Sequence, residues 1–138
     1  MLAADLEQYR NVQVHTASGV NLIIMVLDSI LKHLHLAETA IKMGEIENAS
    51  KSIGKICDLL GELSGSLNFE AGDIATKLFS LYEYCGRRTT EALLRKDPAM
   101  LGVVKDVVVT LRQAWVECSK KGFKNAPGAR TGFQVMVG

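Results

Sequence analysis

Three histidines (His15, His33, His35) and three cysteines (Cys57, Cys85, Cys118) are the side chains of this 138-residue chain best suited to metal, haem or nucleophilic chemistry. Their spacing supports none of it. The sequence contains no Cys-x-x-Cys, no Cys-x-x-Cys-His and no Glu-x-x-His. His33 and His35 are two apart, which on a helix turns them away from each other, so they read as surface or rim histidines. The odd, widely spaced cysteines read as reduced thiols on apolar helix faces in a cytosolic protein. Gly61-Glu62-Leu63-Ser64-Gly65 lies inside a helical pattern and lacks the Gly-Lys-Ser/Thr of a phosphate loop. No paired acids and no Ser/His/Asp set stand out. Arg87-Arg88 and Arg95-Lys96 read as a solvated helix face, with an acidic partner as the alternative, and Trp115 reads as a core residue. The chemistry expected is therefore binding: no catalytic residue, no cofactor and no metal.

Bulk composition agrees. Sixteen Lys plus Arg against fifteen Asp plus Glu leave a net charge of +1, which argues against a basic nucleic-acid domain or an acidic disordered tail. Hydrophobic residues make up 48% and aromatics 6%, with two prolines, so a sandwich or barrel rich in turns and aromatic strands is not expected. Mean hydropathy is +0.14 with 22% charged residues, more apolar than one small core requires. The first residues carry Asp5 and Glu7 where a signal peptide would be basic. The longest stretch without charge, Asn11 to Leu27, includes Asn, Gln, His, Thr and Ser and does not read as a membrane span.

Four helical patterns carry these residues. Ser18 is a candidate N-cap for a helix that reads on to a stop at Gly44. In Val20–Leu31, nine of twelve residues are apolar, and Leu34, Ala37 and Ile41 continue at helical spacing. One face of that segment is core, and the opposite face needs another cover. A second helix runs from about Glu45 to Leu67, and a break at Asn68-Phe69-Glu70 leads to a third from about Ala71 to Lys96. Asp97-Pro98 starts the fourth, which runs to about Lys121. Gly54, Gly61, Gly65, Gly86 and Gly102 fall inside these helices, read as sites of close helix–helix approach or as a flat place for a partner helix. The expected fold is all-α: an antiparallel four-helix bundle over residues 18–121. A short N-terminal leader (1–17) precedes it and a flexible tail (122–138) follows, with Phe133–Val137 a candidate short strand. After Glu117 there are no acids, and Lys120, Lys121, Lys124 and Arg130 make the tail basic.

In order, the motifs resemble those of the FliS family of flagellar secretion chaperones. Tyr9, Val12, Val14 and Thr16-Ala17-Ser18 precede a helix with Leu22-Ile23 and Met25-Val26-Leu27-Asp28. Leu67-Asn68-Phe69-Glu70-Ala71-Gly72 leads to Leu78 and Leu81-Tyr82-Glu83-Tyr84. Asp97-Pro98 is followed by Leu111-Arg112-Gln113-Ala114-Trp115. Agreement runs from about Tyr9 to Cys118. The chain departs from the family pattern at Gly19 (usually proline), at Leu27 and Ser29 (usually tyrosine and glycine), and at Thr89 and Leu93 on the third helix.

The resemblance implies a cytosolic, non-enzymatic export chaperone without cofactor. It would bind the disordered C-terminal segment of flagellin, block premature polymerisation and keep the client competent for flagellar type III secretion. Flagellar export-gate components or flagellar regulators are further partners it allows; nucleic acid and membrane insertion are not expected, and the state is monomer or weak homodimer. Recognition would be helix-in-groove with folding on binding. Leu22, Ile23, Met25, Val26, Leu78, Leu81 and Tyr82 are the candidate client contacts. Tyr9, Val12 and Val14 in the leader are candidates for covering the groove when the client is absent. The alternatives are a bundle that dimerises or takes another client and, least favoured, a histidine-phosphotransfer module using His33 or His35.

Overall fold

The computed structural model describes residues 17–121. These form four helices: α1 (Ala17–Lys42), α2 (Ile46–Gly65), α3 (Asp73–Arg95) and α4 (Leu101–Lys121). Short 3₁₀ turns at Phe69–Ala71 and Pro98–Met100 precede α3 and α4, and there is no strand among the described residues. The fold is the expected all-α antiparallel bundle. The leader, the tail and the Phe133–Val137 segment lie outside the described residues.

Local chemistry accounts for the helix ends. After α1 the chain turns through Gly44 at φ +73°. The Glu45 N–H donates to the Ala40 carbonyl (2.8 Å) and the Gly44 N–H to the Ile41 carbonyl (3.1 Å), a Schellman closure that needs a left-handed residue. The same pattern ends α3: the Asp97 N–H donates to the Ala92 carbonyl and the Lys96 N–H to the Leu93 carbonyl. Here a lysine occupies the left-handed position, at φ 54°. Asn68 and Asp97 accept from the Glu70 and Ala99 amides, capping the two 3₁₀ turns, and Pro98 supplies the fixed φ of a first helical position. Ser18, expected as the N-cap, falls inside α1, which already includes Ala17.

The core settles what the apolar first turns of α1 are for. Helix α1 packs along both α2 and α4, α2 packs along α3, and the α3–α4 seam is the sparsest of the four. Val20, Ile23, Val26, Leu27 and Ile30 are all essentially inaccessible. The second apolar face of α1, expected to need an outside cover, is for the most part covered by the bundle itself. By length and composition Gly19–Lys42 passes for a membrane-crossing helix. Its packing against two neighbours explains that apolarity as the property of a core helix. Trp115 is buried, as expected. Thr89 is buried as well, and its hydroxyl donates to the Cys85 carbonyl (2.7 Å), so a polar residue on the apolar side of α3 is satisfied within its own helix. Between α1 and α4, Arg112 forms a two-point ion pair with Asp28; both side chains are well exposed, so the pair orients the helices more than it stabilises them.

A non-glycine residue in the left-handed region costs about 1–2 kcal/mol, partly offset for glycine by its greater freedom in the unfolded chain. Lys96→Gly is therefore expected to raise stability by up to ~1 kcal/mol, read as a higher denaturant midpoint with unchanged slope.

Candidate functional site

An open groove of about 740 Å³ lies between α2 and α3. Cys57, Leu60, Gly61 and Ser64 line it from α2; Tyr82, Glu83, Tyr84, Gly86, Arg87, Arg88, Thr90, Glu91 and Leu94 line it from α3. The apolar stripes that face the core also set its floor, since Leu60 and Tyr82 are buried. Cys57 Sγ lies 3.8 Å from Thr90 Oγ1, a contact that ties the two walls together. Leu94 stands on the rim and is 76% exposed. Along the same wall, Glu91 accepts from Arg88 (3.1 Å) and from Arg95 (3.2 Å). A smaller groove of about 320 Å³ lies between α1 and α4, where Leu31, Leu34 and Leu101 meet His35, Glu38, Gly102 and Lys105.

The expected contact residues divide sharply by exposure. Leu22, Ile23, Val26, Leu78 and Tyr82 are buried in the core, while Leu81 is half-buried. Met25 points outward, 60% exposed. Of the seven, Met25 and part of Leu81 are directly available to a partner; the other five support the surface from beneath. Tyr82 alone of the seven lines the α2–α3 groove, as part of its floor. Tyr9, Val12 and Val14 lie outside the described residues.

The helical glycines need a correction. A Cβ built at Gly54, Gly61, Gly86 or Gly102 meets no other group within 4 Å. None of the four admits a neighbouring helix of the bundle, so close packing within the chain is not their explanation. Each costs roughly 1 kcal/mol of helix propensity relative to alanine without a packing gain inside the protein. Gly61 and Gly86 face each other's walls of the larger groove, and Gly102 lines the smaller one.

Other outward apolar side chains escaped the sequence reading. Phe69 and Phe79 form an edge-to-face pair with ring centroids 5.7 Å apart, and both are exposed. Leu94, beside the half-buried Leu93, gave no sequence signal of its own, because adjacent apolar pairs such as Leu59-Leu60 are both buried. The cofactor-type side chains remain apart. No cluster of three or more potential metal ligands occurs among the described residues. His33 Nδ1 donates to the Ser29 carbonyl at 2.8 Å, and His35 is exposed. All three cysteines are free thiols.

Comparison with known proteins places this geometry. The family model described as "Flagellar protein FliS" matches residues 2–122. The chain belongs to the FliS family. Among curated members, it is 27% identical over 121 residues to the flagellar secretion chaperone FliS of Bacillus subtilis (strain 168), covering 88% of this chain and 90% of that one. It is 26% identical over 137 residues to the Vibrio cholerae FliS (96% and 100% covered). To the Salmonella typhimurium FliS it is 28% identical over 125 residues (86% and 93% covered).

Tyr82 of the groove floor and Cys85, three residues on in α3, form a buried titratable pair. Burial pushes the Cys85 thiol up to about 11 from its ordinary 9.0. Burial, and secondarily Cys85, raises the Tyr82 phenol well above its usual range. Both groups hold their protons longer folded than unfolded, so the unfolded chain binds fewer protons above pH 9 and stability falls as pH rises from about 9 to about 11. Cys85→Ala is expected to flatten part of that decline in urea denaturation series at stepped pH.

Proposed function

We propose that this chain is a cytosolic export chaperone that holds the disordered C-terminal segment of flagellin, prevents its premature polymerisation and keeps it competent for flagellar type III secretion. The observation that carries the reading is the match of the FliS family model across residues 2–122. The bundle offers what such a client requires. Ordering a disordered segment costs about 2–5 kcal/mol or more, so it must be offset by apolar area. Outward side chains such as Met25 and Leu94 each contribute on the order of 1.5–3 kcal/mol when fully covered, before association costs. With a near-neutral chain, apolar contact outweighs long-range steering. Residues 18–121 are the binding body. The leader, residues 1–17, is a competing cover through Tyr9, Val12 and Val14, and residues 122–138 are an appended tail. No step of this function calls for catalysis, a cofactor or nucleic acid. Export-gate components or flagellar regulators are further partners that fit the role.

Isothermal titration with a flagellin C-terminal peptide tests the reading directly. Stoichiometric binding is expected, together with suppression of flagellin polymerisation; absence of both refutes it. Met25→Asp places a charge on an exposed position without touching the core, and is expected to weaken binding at least tenfold, about 1.4 kcal/mol, with unchanged stability. Deleting residues 1–14 is expected to raise affinity for the same peptide, because a competing cover is removed; equal or lower affinity refutes the cover.

A further inference from the structure

We propose that the C-terminal residues Phe133–Val137 fold back onto the Phe69–Phe79 pair, so that the chain covers with its own tail an apolar patch at one end of the bundle. Phe69 and Phe79 meet edge to face, yet they stay 52% and 37% exposed. Ile74, in the first turn of α3, is exposed as well. An aromatic pair gains from mutual contact and from leaving water, and this one has only the first. The cover proposed is internal to the chain and independent of any client.

The helix ends say which segment is at hand. In the antiparallel bundle α4 ends where α2 ends and α3 begins, and it shares a seam with α3. The chain therefore leaves α4 at Lys121 on the end that carries Phe69 and Ile74. The exposed Met43 and Leu94 lie at the opposite end, where α1 and α3 stop, about 30 Å off along α3 at 1.5 Å per residue. Phe79 shares a flank of α3 with Glu83, one turn on, which faces the α2 groove. A cover arriving from α4 must thus round the first turn of α3. Phe123, two residues past Lys121, spans at most ~7 Å, whereas Phe133 spans up to ~40 Å.

Composition and charge favour the same occupant. The chain has four phenylalanines, and the two outside the pair, Phe123 and Phe133, both fall in residues 122–138. In an extended segment Phe133, Val135 and Val137 share one side, a row able to lie across two rings. Lys124 and Arg130 approach with them, and the sequence holds no acid after Glu117. Around the patch the exposed Glu70 and Asp73 outnumber Lys77, and neither acid has an ion-pair partner among the described residues. Helix α1 also starts at this end, but across the bundle from α3. The residues before it would bring Asp5 and Glu7 towards Glu70 and Asp73, like charge against like.

The test uses the full-length chain. Nuclear Overhauser contacts are expected in wild type between the Phe133 ring and the rings of Phe69 and Phe79. Trypsin is expected to cut after Arg130 about fivefold faster in Phe133→Ser, and in Phe69→Ser/Phe79→Ser, than in wild type, because cleavage tracks the population with the tail released. Leu94→Ser, at the other end, is expected to leave that rate within about twofold of wild type. Absence of the ring contacts, or equal cleavage of wild type and every variant, overturns the tail as the cover. Ring contacts seen only between chains, in a mixture of labelled and unlabelled protein, assign the patch to a second copy and overturn it too. So does a Phe69→Ser/Phe79→Ser variant that loses binding of a flagellin C-terminal peptide while wild type is cut as fast as Phe133→Ser, since the patch then belongs to the client.

Discussion

Burial of α1 between two neighbours is the constraint from which the rest of the bundle follows. An ordinary surface helix hides a single apolar stripe; the first turns of α1 are apolar on nearly every side, and their side chains are essentially inaccessible. That demands helices along two of its flanks, which α2 and α4 provide. With both adjacent places taken, α3 stands across the bundle from α1, held chiefly by α2 and touching α4 only sparsely. The helix with the fewest obligations to the core is also the one whose outward face is richest in unusual features: Phe79, Tyr84, Arg87, Arg88 and Leu94.

This arrangement relocates the apolar surplus. A composition this hydrophobic invites the conclusion that the most apolar segment is the binding surface. In the folded chain most of that segment is spent internally, with Met25 its main outward member. The apolar side chains left exposed are instead scattered over all four helices, Leu36, Ile46, Phe79, Leu94 and Val103 among them, beside glycines that no bundle contact explains. The chain belongs to the FliS family, and the client binding proposed above would give such a surface a purpose. A chaperone for a disordered client needs area and open approach more than a deep pocket, and an exposed trough between two helices is compatible with binding that must later be released.

Local signals in the chain translated well into local structure. Gly44 stops α1 because a left-handed residue closes the Schellman turn, and Asp97-Pro98 starts the last helical stretch with the side-chain cap its composition announces. Trp115 is buried as its position suggests, and so are Ala49, Ile53, Ile56, Leu60 and Leu63 of α2, which recur at threes and fours. The misreadings are mostly non-local. Ser18 has the chemistry of a cap but is overtaken by a helix that starts earlier. Gly61 and Gly86 were expected beside neighbouring helices, yet no neighbour arrives. Leu22, Ile23 and Val26 occupy the most apolar stretch, which says how strongly they avoid water but not whether a partner or the protein's own helices satisfy them.

By itself, then, the amino-acid order determined the four helices, their breaks, the absence of a recognisable catalytic or metal-binding motif, and the ordered motifs shared with FliS. These depend on backbone propensity, capping and periodicity over a few turns, all of which act within a short span of chain. Only the tertiary structure decided which apolar side chains remain outside and which glycines meet nothing. Those outcomes depend on which helices come to lie side by side, a choice made by the summed burial of distant residues such as Ile23, Ile56 and Val104 rather than by any one segment.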